Sequence, residues 1–290
     1  IGVTGVQTCA LPIYCIYIKG IYGRVSGNTV RDCGDRWLIG IKGGSGNDVD
    51  PTVEMDCAGI TESQDCIYGM IVSDNIIHSA DTASSTIGVW VQQAHTLIAN
   101  NMFFGLGESA ISAQELGSVT AWRGITIQGN HFYGFRCNNG DDMIRIADSD
   151  YTLIEANVIW NYDDSECNSI DMVKFEGTDS NTLRGLMIID NTFYAEGVAA
   201  GDAVTAIEIE TDAGGGLEDL VIRGNSFSAN IDTCVLITNN GSLDEMIITH
   251  NIMHRCGDEY NRTGSAPTST YGGDNWIGGS TWSTIDGTFP

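Results

Sequence analysis

One nine-residue pattern, Leu186-Met187-Ile188-Ile189-Asp190-Asn191-Thr192-Phe193-Tyr194, recurs along the chain and limits it to one kind of architecture. With the Asn as position zero, an aliphatic residue stands three before it and an apolar residue two after it. The matches are Val25/Asn28/Val30, Val72/Asn75/Ile77, Ile98/Asn101/Phe103, Ile127/Asn130/Phe132, Ile154/Asn157/Ile159, Ile188/Asn191/Phe193, Ile222/Asn225/Phe227 and Ile248/Asn251/Met253. From Asn75 onward, consecutive Asn residues lie 26, 29, 27, 34, 34 and 26 positions apart. Periods of that size mark solenoids, propellers or arrays. Within each unit the apolar residues alternate with period two, which predicts strands and not helices. One such strand cannot bury its inner face alone. Units stacked one strand spacing apart, roughly 4.8 Å, give every strand two hydrogen-bonded neighbours and turn its inward residues into continuous columns. The expectation is an all-β chain, a parallel β-helix of about eight coils.

With an Asn at one turn of every coil, the stretch from about Tyr17 to Cys256 resembles the right-handed parallel β-helix proteins of the pectin-lyase-like class. The resemblance implies a single-stranded right-handed solenoid with an internal ladder of Asn28, Asn75, Asn101, Asn130, Asn157, Asn191, Asn225 and Asn251. Stacked Asn amides can hydrogen-bond up and down such a column, which satisfies groups that are otherwise costly to bury. For function the resemblance is unspecific, because folds of this kind host lyases, hydrolases, isomerases, phage tailspikes and adhesins.

Residues 1–13 do not fit the repeat and resemble translated sequencing-adapter read-through. A secretory reading of Cys9 to Ile18 lacks a positively charged start and a cleavage site of small residues. The expected organisation is a non-native leader at 1–13, a β-helix at 14–256 with a loop inserted at 43–65, and an irregular tail or cap at 257–290. The native N-terminus, with any signal, is then expected to be missing. No apolar run approaches the roughly 18 residues that span a bilayer. Thirteen basic residues against 38 acidic ones give a net charge of −25, which disfavours nucleic acid and anionic membrane as partners. Polyanionic glycans are disfavoured too unless calcium bridges them. Of the nine cysteines, Cys57 and Cys66 share one loop and could pair, Cys33 and Cys256 are seven units apart and could not, and the rest read as small buried residues.

The second strand of each unit carries the informative outward residues. One stacked column reads Gly40, Trp90, Ser112, Arg145, Lys174, Glu208, and the next reads Lys42, Gln92, Gln114, Ala147, Glu176, Glu210. An exposed Trp flanked by amides and charges is the composition of a surface that holds sugars, the ring against C–H groups and the polar side chains against hydroxyls. A solvated face with Arg145 and Lys174 paired to Glu176 and Glu208 would read the same way. A different outward column, four before each Asn, runs Arg24, Ile71, Leu97, Thr126, Leu153, Met187, Val221, Ile247. An apolar stripe of that length marks an interface, covered by the C-terminal tail or by other subunits of a homotrimer.

Two kinds of chemistry compete. Gly140-Asp141-Asp142 resembles the Gly-Asp-Asp step of polygalacturonases, whose paired carboxylates supply acid and base. The Gly-His-Gly, Arg-Ile-Lys and Asn-Thr-Asp segments of that family are absent. Alternatively Asp142 and Asp171, predicted to stack at the start of consecutive strands, hold calcium, while Lys174 or Arg145 takes the proton alpha to a uronate carboxyl. Asp148, Asp150, Asp163, Asp164 and Glu166 form a further acidic cluster that reads best as a solvated edge, and the five His show no metal-ligand spacing. Two classes therefore stay open. One is an extracellular or virion-borne protein that binds and processes polysaccharide with Trp90, Gln92, Gln114, Glu176, Glu208 and Glu210 as its binding surface, acting as a lyase before a hydrolase. The other is a non-catalytic structural or adhesive solenoid such as a trimeric tailspike.

Overall fold

The computed structural model describes residues 2–8, 14–19, 23–31, 37–42, 69–79, 86–92, 95–113, 122–134, 142–162, 169–177, 182–196, 203–212, 214–229, 231–254, 256–264 and 270–277. Every element among them is a strand, and every strand pairing is parallel. The architecture is that of a right-handed parallel β-helix. A coil contributes three principal strands, and four coils add a short fourth one, paired as Trp122–Arg123 with Ser149–Asp150 and Thr182–Arg184 with Gly216–Glu218. In one coil the principal three are Met187–Ile189, which leads into the Asn, Thr192–Glu196, which leaves it, and Ala203–Thr211. Stacked on their equivalents they form the first, second and third faces of the solenoid. The first two faces join through the Asn turn into one 18-stranded sheet, and the third face is a sheet of nine strands.

The repeat pattern explains the interior. Residues three before each Asn form a buried aliphatic column from Val25 to Ile248, and residues two after it form another in which Phe103 stacks on Phe132 and Phe193 on Phe227, each with ring centroids 4.9 Å apart. Full burial of such side chains contributes roughly 1.5–3 kcal/mol each. At the turn, the Oδ1 of Asn191 accepts from the backbone N–H and from Nδ2 of Asn157, both at 2.9 Å, while its own Nδ2 donates to the carbonyl of Ile154 at 2.9 Å. The same three bonds recur at the other rungs from Asn75 to Asn251. The ladder thus replaces water for backbone groups that the corner takes out of the strand pairing.

One backbone feature makes that corner possible. The residue before each Asn is left-handed in nine consecutive coils: Gly27, Asp74, Asn100, Gly129, Ala156, Asp190, Gly224, His250 and Asp274, with φ between 54° and 70°. Gly, Asn and Asp tolerate this region best, and they fill seven of the nine positions.

The structure departs from the expected organisation at both ends. Gly2–Thr8 is a strand paired in parallel with Gly23–Arg31, so part of the predicted leader lies in the first coil. At the other end the tail predicted to be irregular from 257 forms a further coil: Cys256–Gly264, Thr270–Gly273 and Trp276–Ile277 stack on the coil before them, and the buried Asn275 takes the ladder hydrogen bonds from Asn251. Gly272 stands where the repeat calls for an aliphatic residue, which hid this coil from the pattern. The described tail is therefore a continuation of the stack and not a strap along the apolar stripe. A disulfide joins Cys234 to Cys256 with Cα atoms 5.8 Å apart, so Cys234 is not merely a small buried residue. The predicted insertion at 43–65, Cys33, Cys57, Cys66 and residues 278–290 lie outside the described residues.

Candidate acidic site on the third face

On the third face the alternation of inward and outward residues is interrupted at one place. Met143 and Ile144, Met172 and Val173, Ala206 and Ile207, and Cys234 and Val235 are consecutive residues that are all buried. The strand bends there, so residues three apart come to the same side. Asp142 and Arg145 thereby share one outer edge, and Asp171 and Lys174 share it one coil further on. The backbone N–H of Met143 donates to the carbonyl of Asp171, and Arg145 pairs in register with Lys174 and Lys174 with Glu208.

The register bears out both outward columns wherever they are described. Gly40, Trp90, Ser112, Arg145, Lys174 and Glu208 are successive partners, as are Ala147, Glu176 and Glu210. Lys42 pairs in register with Gln92, whose side chain lies outside the described residues, as does all of Gln114. Trp90 differs from expectation: it is only 8% exposed, so it is no open platform for a sugar ring. Ser112 beside it is also buried.

The charged groups are closely knit. Lys174 Nζ lies 3.1 Å from Glu208 Oε2 and 3.2 Å from Glu210 Oε2. Arg145 donates from Nη2 to Glu176 Oε2 at 2.7 Å and from Nε at 3.2 Å, and reaches Asp142 Oδ2 at 3.9 Å. The carboxyls of Glu208, Asp171 and Asp142 also lie within hydrogen-bonding reach of one another in a row. Burial pushes Asp142 up to about 6 against the pull of Lys174 and Arg145. Burial likewise raises Asp171, and burial together with the hydrogen bond to Asp171 raises Glu208 to about 7. Burial works against the Lys174 charge but is overcome by Glu208, Asp142 and Asp171, which hold the ammonium above its ordinary value. Three clustered acids beside one cation keep a shared proton near neutral pH because all three cannot ionise together.

This arrangement bears on four roles expected from the sequence. Lys174 is a charged bridge between carboxylates and not a base, since a base must first lose the proton that Glu208 and Glu210 hold in place. Arg145 is bound to Glu176 in the same way and orients that carboxylate. Asp142 and Asp171, expected to hold calcium, stand beside each other and Glu208 with the Lys174 ammonium against the cluster. Among the described residues no group of three or more His, Cys, Asp or Glu converges as a metal site. Glu208, expected only to bind substrate, has instead the environment of an acid, a role the sequence hid because its contact with Asp171 depends on the strand bend. Asp148 and Asp150 are buried, and Asp150 Oδ1 accepts from the backbone N–H of Arg184, a structural contact and not a solvated edge. Asp141, Asp163, Asp164 and Glu166 lie outside the described residues.

The apolar stripe on the first face is continuous in register from Arg24 to Ile247 and extends to Tyr271. The all-parallel, single-strand-per-face coil decides the relationship when set beside the family comparison, in which residues 17–255 match a family described as a protein of unknown function, DUF1565. The chain belongs to the DUF1565 family. The matched span covers the ladder from Asn28 to Asn251 and the whole acidic cluster, so both are features of the DUF1565 portion of the chain. No curated protein and no solved structure matches it.

Proposed function

We propose that this DUF1565 chain is an extracellular or virion-borne protein that binds polysaccharide along its third face and cleaves glycosidic bonds by acid–base catalysis. The observation that carries the reading is the hydrogen-bonded row Glu208, Asp171, Asp142, in which Glu208 keeps a proton up to about pH 7. Perturbed acids of this kind gather at sites of proton transfer. In the proposed reaction Glu208 gives its proton to the glycosidic oxygen as the bond to the anomeric carbon breaks, and Asp142, ionised, accepts a proton from the water that attacks that carbon. Lys174 holds Glu208 and Glu210 in position, and Glu176, oriented by Arg145, accepts from sugar hydroxyls. Hydrolysis replaces the lyase as the favoured chemistry because the basic side chains of the site are pinned as cations.

The test is to incubate the full chain with neutral and acidic polysaccharides, with calcium or with chelator, and to follow new reducing ends and the ultraviolet absorbance of unsaturated products. Reducing ends without absorbance, insensitive to chelator and abolished by Glu208→Gln, support the reading. Absorbance that requires calcium would overturn it in favour of elimination.

A second reading has its own observation. The outward stripe of Ile71, Leu97, Leu153, Met187 and Val221 ends in Ile247 and Tyr271, which are 39% and 58% exposed. A homotrimer packed along that stripe would make the chain a structural or adhesive solenoid. Light scattering separates the cases: a trimer dispersed by Val221→Asp supports assembly, and a monomer removes it.

A further inference from the structure

The second face carries a row of rings on the outside. Three residues after the ladder Asn, successive coils present His78, Phe104, Tyr133, Trp160 and Tyr194, paired in register one with the next. The rungs on either side hold Arg31 and Ser228, so the row has defined ends. At roughly 4.8 Å per rung it runs about 19 Å along the solenoid axis. The rings do not form one saturated stack. His78 lies flat on Phe104, with centroids 4.2 Å apart and planes at 23°. Beyond it Tyr133 and Trp160 are tilted by 58°, and Trp160 meets Tyr194 edge-on at 82°. All five residues are half-buried. The Nε1 of Trp160 is buried and, among the described residues, without a hydrogen-bond partner, so the indole meets solvent through its carbon atoms and not through its N–H. On the neighbouring outward column Ile76 and Met102 are 41% and 42% exposed, extending the apolar strip beside the first two rings.

We infer that this row is a binding track for a neutral polysaccharide lying along the solenoid axis. Ring edges with polar tips suit pyranose units, whose C–H groups pack on aromatic carbon while their hydroxyls meet the Tyr hydroxyls. A regular ladder of rings offers the same contact to each successive unit of a repeating chain. The ligand is uncharged because the net charge of −25 repels a polyanion and the row contains no carboxylate to hold a polycation. The ligand class follows the reading proposed for the third face, but the track lies on another sheet and does not use the carboxyls, so the two stand or fall separately.

The experiment is affinity electrophoresis of the full chain in gels cast with soluble β-glucan, galactomannan or dextran, alongside tryptophan fluorescence titration with the retarding polymer. At least one polymer retards the wild-type chain, and Trp160→Ala and Tyr133→Ala each weaken binding about tenfold. Trp160→Phe, which keeps a ring, retains most of the affinity and guards against loss of fold. Arg184→Ala, at an ion pair with Glu218 on a strand that belongs to neither the row nor the acidic cluster, leaves retention unchanged, and retention by the row does not require the release of reducing ends that tests the third face. No retardation by any neutral polymer overturns the inference, and so does unaltered binding by a folded Trp160→Ala. A dimer in solution that Trp160→Ala dissociates would overturn it as well, assigning the row to a second copy of the chain.

Discussion

Replacing Asn191 by Ala removes one rung from the middle of the ladder, and its cost can be worked from the contacts. Oδ1 is lost as acceptor for the Asn157 backbone N–H and for Asn157 Nδ2, both at 2.9 Å. Nδ2 is lost as donor to the carbonyls of Ile154 and Ile189 and to Asn225 Oδ1, at 2.9, 3.0 and 3.0 Å. Some of these groups keep partners: Asn157 Nδ2 still reaches the carbonyl of Ile127, and Asn225 Oδ1 still accepts from the Asn191 backbone N–H. Two buried backbone groups, the N–H of Asn157 and the carbonyl of Ile154, lose their side-chain bond. At roughly 1–3 kcal/mol for each unsatisfied group, the change costs about 4 kcal/mol. The assay is guanidinium unfolding followed by circular dichroism, with Thr192→Ala on the exposed neighbouring position as control, expected to stay within about 0.5 kcal/mol. A loss for Asn191→Ala below about 1 kcal/mol, no greater than the control's, would refute the claim that the ladder carries the turn.

Three further outcomes follow from particular residues. Ala156 sits at φ 54° where seven of the other eight coils place Gly, Asn or Asp, so Ala156→Gly relieves left-handed strain and raises stability by about 1 kcal/mol in the same unfolding assay. The raised values of Asp142 and Glu208 mean that the folded chain holds protons the unfolded chain releases near pH 4; their contribution is full below that pH and is lost as pH rises through about 6 and 7. The melting temperature measured from pH 4 to 8 therefore carries a falling component in that window, which Glu208→Gln diminishes. The Cys234–Cys256 bond closes a loop of sequence separation 22, so Cys234→Ala, compared with wild type under oxidising conditions, lowers the unfolding free energy by about 3 kcal/mol.

The repeating parts of this molecule were legible because stacking turns a sequence offset into a spatial address. Once Asn157, Asn191 and Asn225 were aligned, Arg145, Lys174 and Glu208 had to be neighbours, and the register bears this out. What the pattern did not carry was deviation from the repeat. Gly272 in place of an aliphatic residue concealed the last coil. The double inward step at Met172 and Val173 concealed the contact of Asp171 with Glu208, and with it the protonated acid, because strict alternation puts residues three apart on opposite sides. The row from His78 to Tyr194 was present at a constant offset but mixes His, Phe, Tyr and Trp, so no single residue type announces it. Trp90 was assigned the correct column and the wrong exposure, since offset predicts direction and not what lies over a side chain.

The central functional claim stands on one protonation state. Carboxyl carbon chemical shifts of the full chain labelled at Asp and Glu, followed from pH 3 to 9 and assigned with Glu208→Gln and Asp171→Asn, read it directly. A Glu208 carboxyl titrating near pH 7, moved when Asp171 is replaced, is the predicted result. Titration of Asp142, Asp171 and Glu208 all in the ordinary carboxylate range, near pH 4, would contradict the assignment of an acid to this face.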